Sequence, residues 1–544
     1  MTKEMKSRII ESLCVFVFFA IFITILNLSL NSLNYDIIWC FHLSQKVSDG
    51  YLMYSEISTV VTPIYFWFGG LFIKIFGNAI TSMCIYAGVV QGIIATTIYN
   101  ITKEVTKKEN VLAIPLCLFF LLSYTSALCL SNYNSTAMMW VLIAVLVEII
   151  REKNGNSKLN YLIGIILGLA FFTKQNIGAF AVIATGGISI INNIWFKKQN
   201  PMKEIFQKAV GFLSVVLVML AYFFVTGTFL NFIDFCIGGL LEFGDKNLSF
   251  GIPKVYLGLI FILTLSFCFA FEKEKDSYFL IMSTYLIGMS TIIYPLTNAY
   301  HSTLGMLMTF PIMIRITDKF LDKELLYNIF IALIAYWSKL STVSFSNIEL
   351  NGLEGFFDIS NDMQNFYIAV LYLVVYIIVA ITFINKKQNW LKNTIMISLI
   401  IALGIHSYFY MNNLKDERIP KGLEIYANHG YTEKQMKYIE NVIQYILEKE
   451  KEGYNVCVAS ADASYYMAAL GRNNYKYDLT LYGSLGYNGE KRLIEETSNL
   501  KNTIILKDRD IMSQEPVKFD EFIKENYEVI DEIENLIVYG VKND

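Results

Sequence analysis

Runs of about twenty apolar residues recur along this chain as far as residue 411, and no other feature limits its fold so strongly. A helix rises 1.5 Å per residue, so about 20 apolar residues cross the hydrocarbon of a bilayer. About thirteen stretches suit such spans, centred on 9–30, 79–101, 111–130, 135–150, 159–173, 176–196, 208–229, 253–271, 277–295, 300–316, 324–341, 366–385 and 393–411. Composition agrees: 55% of the residues are hydrophobic and 17% charged, against about 25% charged in soluble domains. A soluble core cannot absorb that excess, so the expected class is a polytopic α-helical membrane protein. The opening MTKEMKSR runs into an apolar stretch from Ile9 to about Leu30. That stretch is longer than the core of a cleaved signal peptide and reads as a retained first span.

The basic residues orient the spans. With the N-terminus in the cytoplasm, the inner segments hold 21 Lys and Arg and the outer connections hold 6. This is the positive-inside bias. An odd number of spans then puts the C-terminal region outside. The expected localisation is a multi-pass cell-membrane protein with a cytoplasmic N-terminus and an extracytoplasmic C-terminal domain.

The longest connection before residue 411 is the first, 31–78. Its stretch from Asn34 to Gly77, NYDIIWCFHLSQKVSDGYLMYSEISTVVTPIYFWFGGLFIKIFG, is too polar for a span and too apolar for a solvated loop. It reads as an amphipathic, interfacial segment. Asp36, Asp49 and Glu56 sit in it among aromatic and aliphatic residues. A carboxylate at a membrane rim in such company can have a raised pKa and serve as a general base; the plainer reading of Asp36 is a solvated helix cap. The connection SYTSALCLSNYNS is uncharged, and residues 230–252, with Glu242 and Asp245, suit a second interfacial segment. Lys174 interrupts an apolar stretch. Such a lysine is costly unless it meets an anion or water or reaches the headgroups.

Beyond Asn412 the composition changes. YTEKQMKYIENVIQYILEKEKEG has helical periodicity, and YNVCVAS, NTIILKD, YEVIDEI and NLIVYGV read as strands, the last two as a hairpin across Glu534 and Asn535. Helices are expected over Ala461–Leu470, with Asp462 as a cap, and near 488–498 and 518–526. The expected domains are therefore 1–411 in the membrane and an α/β domain over 412–544, a packing or acceptor-binding cap. The 8 Cys are scattered, mostly in apolar runs, without ligand spacing. No metal or cofactor is expected, and no basic tract points to nucleic acid.

The order of motifs resembles a known family. An acidic residue follows the first span; DGYLMYSEIS and TPIYFWFGGLFIKIFG come next; GLAFFTKQN (Gly168 to Asn176) comes later. This is similar to the GT-C membrane glycosyltransferases, in the group of protein O-mannosyltransferases and the lipid A aminoarabinose transferase. The resemblance implies a GT-C-like fold of about 13 transmembrane helices with an outer C-terminal domain. It implies transfer of a sugar, with inversion, from a polyprenyl-phosphate-linked donor to a cell-envelope glycan, lipid or protein acceptor. On the matching positions it makes Asp36 the catalytic base, places Glu56 at a second acidic position, and sets Lys174 against the lipid phosphate. The family's further acidic residue is replaced by SNYNS, where Asn132 and Asn134 can hydrogen-bond sugar hydroxyls but cannot act as bases. Tyr300 and His301 stand where relatives carry an Arg-Tyr or His pair; His301 can donate to the leaving phosphate or simply cap a helix. Two other readings stay open: a transporter or flippase of lipid-linked saccharides, and a catalytically silent relative.

Overall fold

A computed structural model describes residues 3–28, 35–105, 132–196, 201–242, 277–278, 280–285, 311–312, 315, 422–427, 433–474, 477–500, 502–509 and 515–542. The expected spans at 111–130 and from 253–271 onward lie outside these residues, apart from short pieces near 280 and 312. So do Tyr300, His301 and Asp245.

The helices are α1 (Lys3–Leu28), α2 (Tyr35–Ser48), α3 (Ile64–Phe76), α4 (Ile80–Val105), α5 (Tyr133–Asn154), α6 (Leu159–Thr173), α7 (Gln175–Phe196) and α8 (Pro201–Val225). A short α9 (Phe229–Ile233) runs into a π-helical turn, Asp234–Gly239. Among the described residues, five helices are long and apolar enough to cross a membrane: Met5–Ile25, Ile80–Val105, Tyr133–Asn154, Gln175–Asn192 and Pro201–Val225. They lie on expected spans. α6 is apolar but shorter, as its sequence anticipates.

The chain forms two compact units. The first takes the described residues within Met1–Thr24, Ala87–Val216 and Ser249–Ser407. Among its described residues, the buried charges Glu148, Arg151 and Lys208 meet one another. Glu148 of α5 is fully buried and meets Lys208 of α8 at 2.9 Å and Arg151 at 2.7 Å. Arg151 also reaches Glu204 at 3.0 Å. The Lys208 ammonium donates to Ser189 Oγ of α7 at 3.1 Å. In an apolar surround each of these groups would be costly alone, so the network fixes how α5, α7 and α8 meet.

The second unit takes the described residues within Ile25–Tyr86, Leu217–Leu248 and Tyr408–Asp544. Its sheet contains β1 (Asn455–Ala459), β2 (Thr503–Asp508), β3 (Tyr527–Ile533) and β4 (Leu536–Val541) in the order β1-β2-β4-β3. β1 and β2 are parallel, with Val458 opposite Leu506; the other pairings are antiparallel, with Leu506 opposite Val538. A parallel pair needs a long crossover, which α11 (Ala463–Leu470), α12 (Tyr482–Leu485) and α13 (Gly489–Ser498) supply. α10 (Glu433–Lys451) precedes β1, and α14 (Val517–Asn526) precedes β3. α10 buries Met436, Ile439, Val442, Ile443 and Ile446, the helical spacing read from its sequence. Each such side chain contributes about 1.5–3 kcal/mol when fully buried. Strands and hairpin stand where expected, with Glu534 at positive φ in the turn. Asp462 occupies the position before α11, yet its side chain makes no capping hydrogen bond.

The first connection is not one amphipathic strip. From Ile37 to Lys46, α2 is buried on every face, because α3 packs on it from one side and α11 from another. Gly69 and Gly70 of α3 permit that approach. A Cβ on Gly69 would lie 2.3 Å from Ser44 Oγ, and one on Gly70 would lie 3.1 Å from the Ser44 carbonyl. The FGG of the sequence is thus a helix-packing surface.

Candidate active site

Asp36 lies in the first turn of α2, so the residue expected as a base follows the first span on an ordered helix. The other end of α2 is tied down more elaborately. Lys46 is buried, and its ammonium donates to Asp478 Oδ1 at 2.6 Å and to the Glu56 carbonyl at 2.6 Å. Asp478 Oδ2 accepts from the Ser58 backbone N–H at 2.8 Å and from Ser58 Oγ at 3.2 Å. Burial pulls the Lys46 ammonium below its ordinary pKa, with Asp478 opposing the shift. One turn earlier, His42 is fully buried, with Nε2 3.9 Å from Asp478 Oδ1. Burial lowers its pKa to about 4 against the pull of Asp478, so it is neutral near pH 7. The Gln45 amide donates to the Ala468 carbonyl of α11 at 3.2 Å.

Between α2 and α3 the chain makes a compact loop. Tyr54 sits at a φ of 68° and its N–H donates to the Ile57 carbonyl at 2.9 Å. Glu56 is exposed, and its Oε2 accepts the Leu52 N–H at 2.8 Å. Its carboxylate therefore shapes this turn locally. The Tyr54 ring lies among Phe223, Phe232 and Phe235, and Trp67 packs edge-on to Tyr222 at 4.8 Å. These rings fix the loop on the 217–235 segment.

In the first unit, Lys174 and the SNYNS segment come together. α6 ends at Thr173, Lys174 is extended (φ −155°, ψ 109°), and α7 begins at Gln175. The bend there is sharp: a Cβ on Gly178 would lie 2.1 Å from Phe171 Cα. Lys174 is thereby placed at the break between two apolar helices. Its ammonium lies 4.4 Å from the centre of the Tyr133 ring, a cation–π distance. Asn132 caps α5, its side chain accepting the Asn134 N–H at 2.6 Å. Its carbonyl accepts from Ser135 Oγ and Thr136 Oγ1. Asn132 and Asn134 are both buried. Asn132 thus works as a helix cap beside the cation, and Tyr133 is the partner that reading the segment for acids overlooked.

Sequence reading also passed over Lys46, His42 and Asp478. The spacing of His42 and Lys46 puts them on one face of α2, but nothing in a single sequence links them to Asp478, 432 positions on. Among the described residues, no group of three or more His, Cys, Asp or Glu gathers to hold a metal ion.

Comparison with known proteins extends this picture. Residues 60–220 match the family described as Dolichyl-phosphate-mannose-protein mannosyltransferase. No curated protein matches the chain. Two solved structures resemble it over 97% of both chains: ArnT from Cupriavidus metallidurans bound to undecaprenyl phosphate, at 10% identity and a TM-score of 0.57, and the same protein in the apo state, at 11% and 0.58. At such identity the likeness is one of fold. Over residues 60–220 the chain is thus similar to the mannosyltransferase family, and its fold is like that of ArnT.

Proposed function

We propose that the chain transfers a sugar from a polyprenyl-phosphate-linked donor to a cell-envelope acceptor at the outer membrane face. The observation that carries this reading is the concurrence of the family match over residues 60–220 with a fold that ArnT, a protein solved with undecaprenyl phosphate, shares over 97% of its length. A donor with a lipid tail also accounts for a transferase built of apolar helices: the tail stays in lipid while the head reaches the polar connections.

In this reading residues 1–411 form the membrane domain and 412–544 an extracytoplasmic domain, with the N-terminus in the cytoplasm. Asp36 takes the proton of the acceptor hydroxyl as that oxygen bonds to the anomeric carbon. The bond from the anomeric carbon to the phosphate oxygen breaks, the phosphate leaves with its electron pair, and one displacement inverts the centre. Lys174 stabilises the phosphate charge, and Tyr133 beneath its ammonium orients it. His301 donates to the same leaving group, and Tyr300 binds substrate. Asn132 holds the end of α5 in place, Asn134 meets sugar hydroxyls, and Glu56 positions the loop after α2.

The test is transfer of labelled sugar from polyprenyl-phosphate donors in membranes carrying wild type or Asp36→Asn. Loss of transfer by a factor of 10² or more, with donor binding retained, is the expected outcome. Unchanged transfer removes Asp36 from the mechanism. Lipid-linked saccharide that crosses vesicles without transfer replaces the reading with a flippase.

A further inference from the structure

The C-terminal α/β fold holds a cleft that the reaction above does not use. It lies between α10 and α11, encloses about 370 Å³, and is lined by Lys434, Gln435, Tyr438, Asp462, Tyr465 and Tyr466. That volume is at the small end of ligand sites. Its tyrosines are held from behind: Tyr466 OH donates to Tyr438 OH at 3.4 Å, and the buried Tyr426 donates to the Tyr465 carbonyl at 2.6 Å. The neighbouring Asp508 is committed inward, accepting from Ser460 Oγ at 3.0 Å and the Ala461 N–H at 3.3 Å.

Asp462 is different. It stands before α11 without capping it. Among the described residues no donor bonds its half-buried carboxylate. Burial and the nearby Asp508 push its pKa up to about 6. A carboxylate held among three aromatic rings without a donor is costly, and perturbed groups in clefts mark functional sites more often than chance.

We propose that this cleft binds one pyranose unit of the acceptor glycan. Identifying the occupant as acceptor rests on the transferase reading; the chemistry of the cleft is independent of it. The partly exposed rings of Tyr438 and Tyr465 suit the apolar face of a sugar ring, and Asp462 accepts ring hydroxyls in charge-assisted hydrogen bonds. Lys434 and Gln435 supply donors on the opposite rim. A polyol needs both kinds of partner. An aromatic cage for a cationic amine would have no place for Lys434.

The experiment titrates the full chain in nanodiscs with the methyl glycosides of glucose, galactose, mannose and N-acetylglucosamine, read by ligand-observed saturation-transfer NMR. At least one glycoside is expected to bind saturably. Asp462→Asn should weaken it about tenfold or more, and Lys434→Ala, an exposed change that spares the fold, a few-fold. Binding by none of the four, equal binding by Asp462→Asn, or competition by tetramethylammonium overturns the assignment. Sugar transfer is measured on the same preparation. Transfer without glycoside binding removes the cleft and leaves the transferase. Glycoside binding without transfer from any donor keeps the cleft as a sugar site and removes the transferase.

Discussion

Each unit buries a lysine against a carboxylate, and the two do so differently. In the first, Lys208 and Glu148 are 60 positions apart on neighbouring apolar helices, with Arg151 and Ser189 completing the shell. In the second, Lys46 and Asp478 are 432 positions apart, joined by Ser58 and the Glu56 carbonyl, with a neutral His42 beside them. One is a helix-packing device that joins α5 to α8, with α7 supplying Ser189. The other fastens the connection after the first span to a segment of the α/β fold. Burial is similar, so the number of partners left behind decides what each pair contributes.

Removing the Glu148 carboxylate should do the most damage. Glu148→Ala leaves two buried cations without their shared anion and should cost about 3–5 kcal/mol, seen as lost membrane yield and a lower midpoint of thermal unfolding in detergent. Glu148→Leu combined with Lys208→Met should recover part of it, since an apolar replacement of a whole pair is often tolerated.

Asp478→Ala should come next, at about 2–4 kcal/mol, because Lys46 keeps the Glu56 carbonyl. Adding Lys46→Met should then cost little. A double-mutant cycle measures that coupling, and a coupling near zero would mean that Asp478 acts through Ser58 alone. If Asp478→Ala proves costlier than Glu148→Ala, the ranking by remaining partners is wrong.

The smallest effect concerns acid. His42 has a pKa of about 4 in the fold against 6.5 when exposed. A depressed pKa contributes stability above pH 6.5 that is lost as pH falls toward 4, at most about 3 kcal/mol here. Asp478, Lys46 and Gln45 face the ring and set the residual charge. His42→Gln should flatten the unfolding midpoint between pH 6.5 and 4 while changing it little at pH 7.5. An unchanged acid slope would mean that His42 does not titrate in the fold.

What could be read in advance follows the same division. Spans needed only length and apolarity, and α1, α4, α5, α7 and α8 stand on them. The four strands were legible because runs such as NTIILKD and NLIVYGV are short, β-branched and bounded by turns. Lys174 was legible as an anomaly within an apolar stretch, but its nearness to Tyr133 depends on the bend that Gly178 permits. Lys46 looked like one more basic residue in a connection, and Asp478 like one more acidic one. The tyrosine cleft takes Tyr438 from α10 and Tyr465 and Tyr466 from α11; no periodicity within either helix announces that they converge. Asp462 was visible only as a cap, a role it does not fill.

The tie between Lys46 and Asp478 also sets an order in time. At roughly 5–20 residues per second, synthesis across the 432 positions from Lys46 to Asp478 takes on the order of twenty to ninety seconds. Through that interval Lys46 of α2 has the Glu56 carbonyl but no carboxylate to meet it, while later spans are being inserted. The segment that emerges early is finished late, and any product that stops before Asp478 leaves the ribosome with that fastening undone.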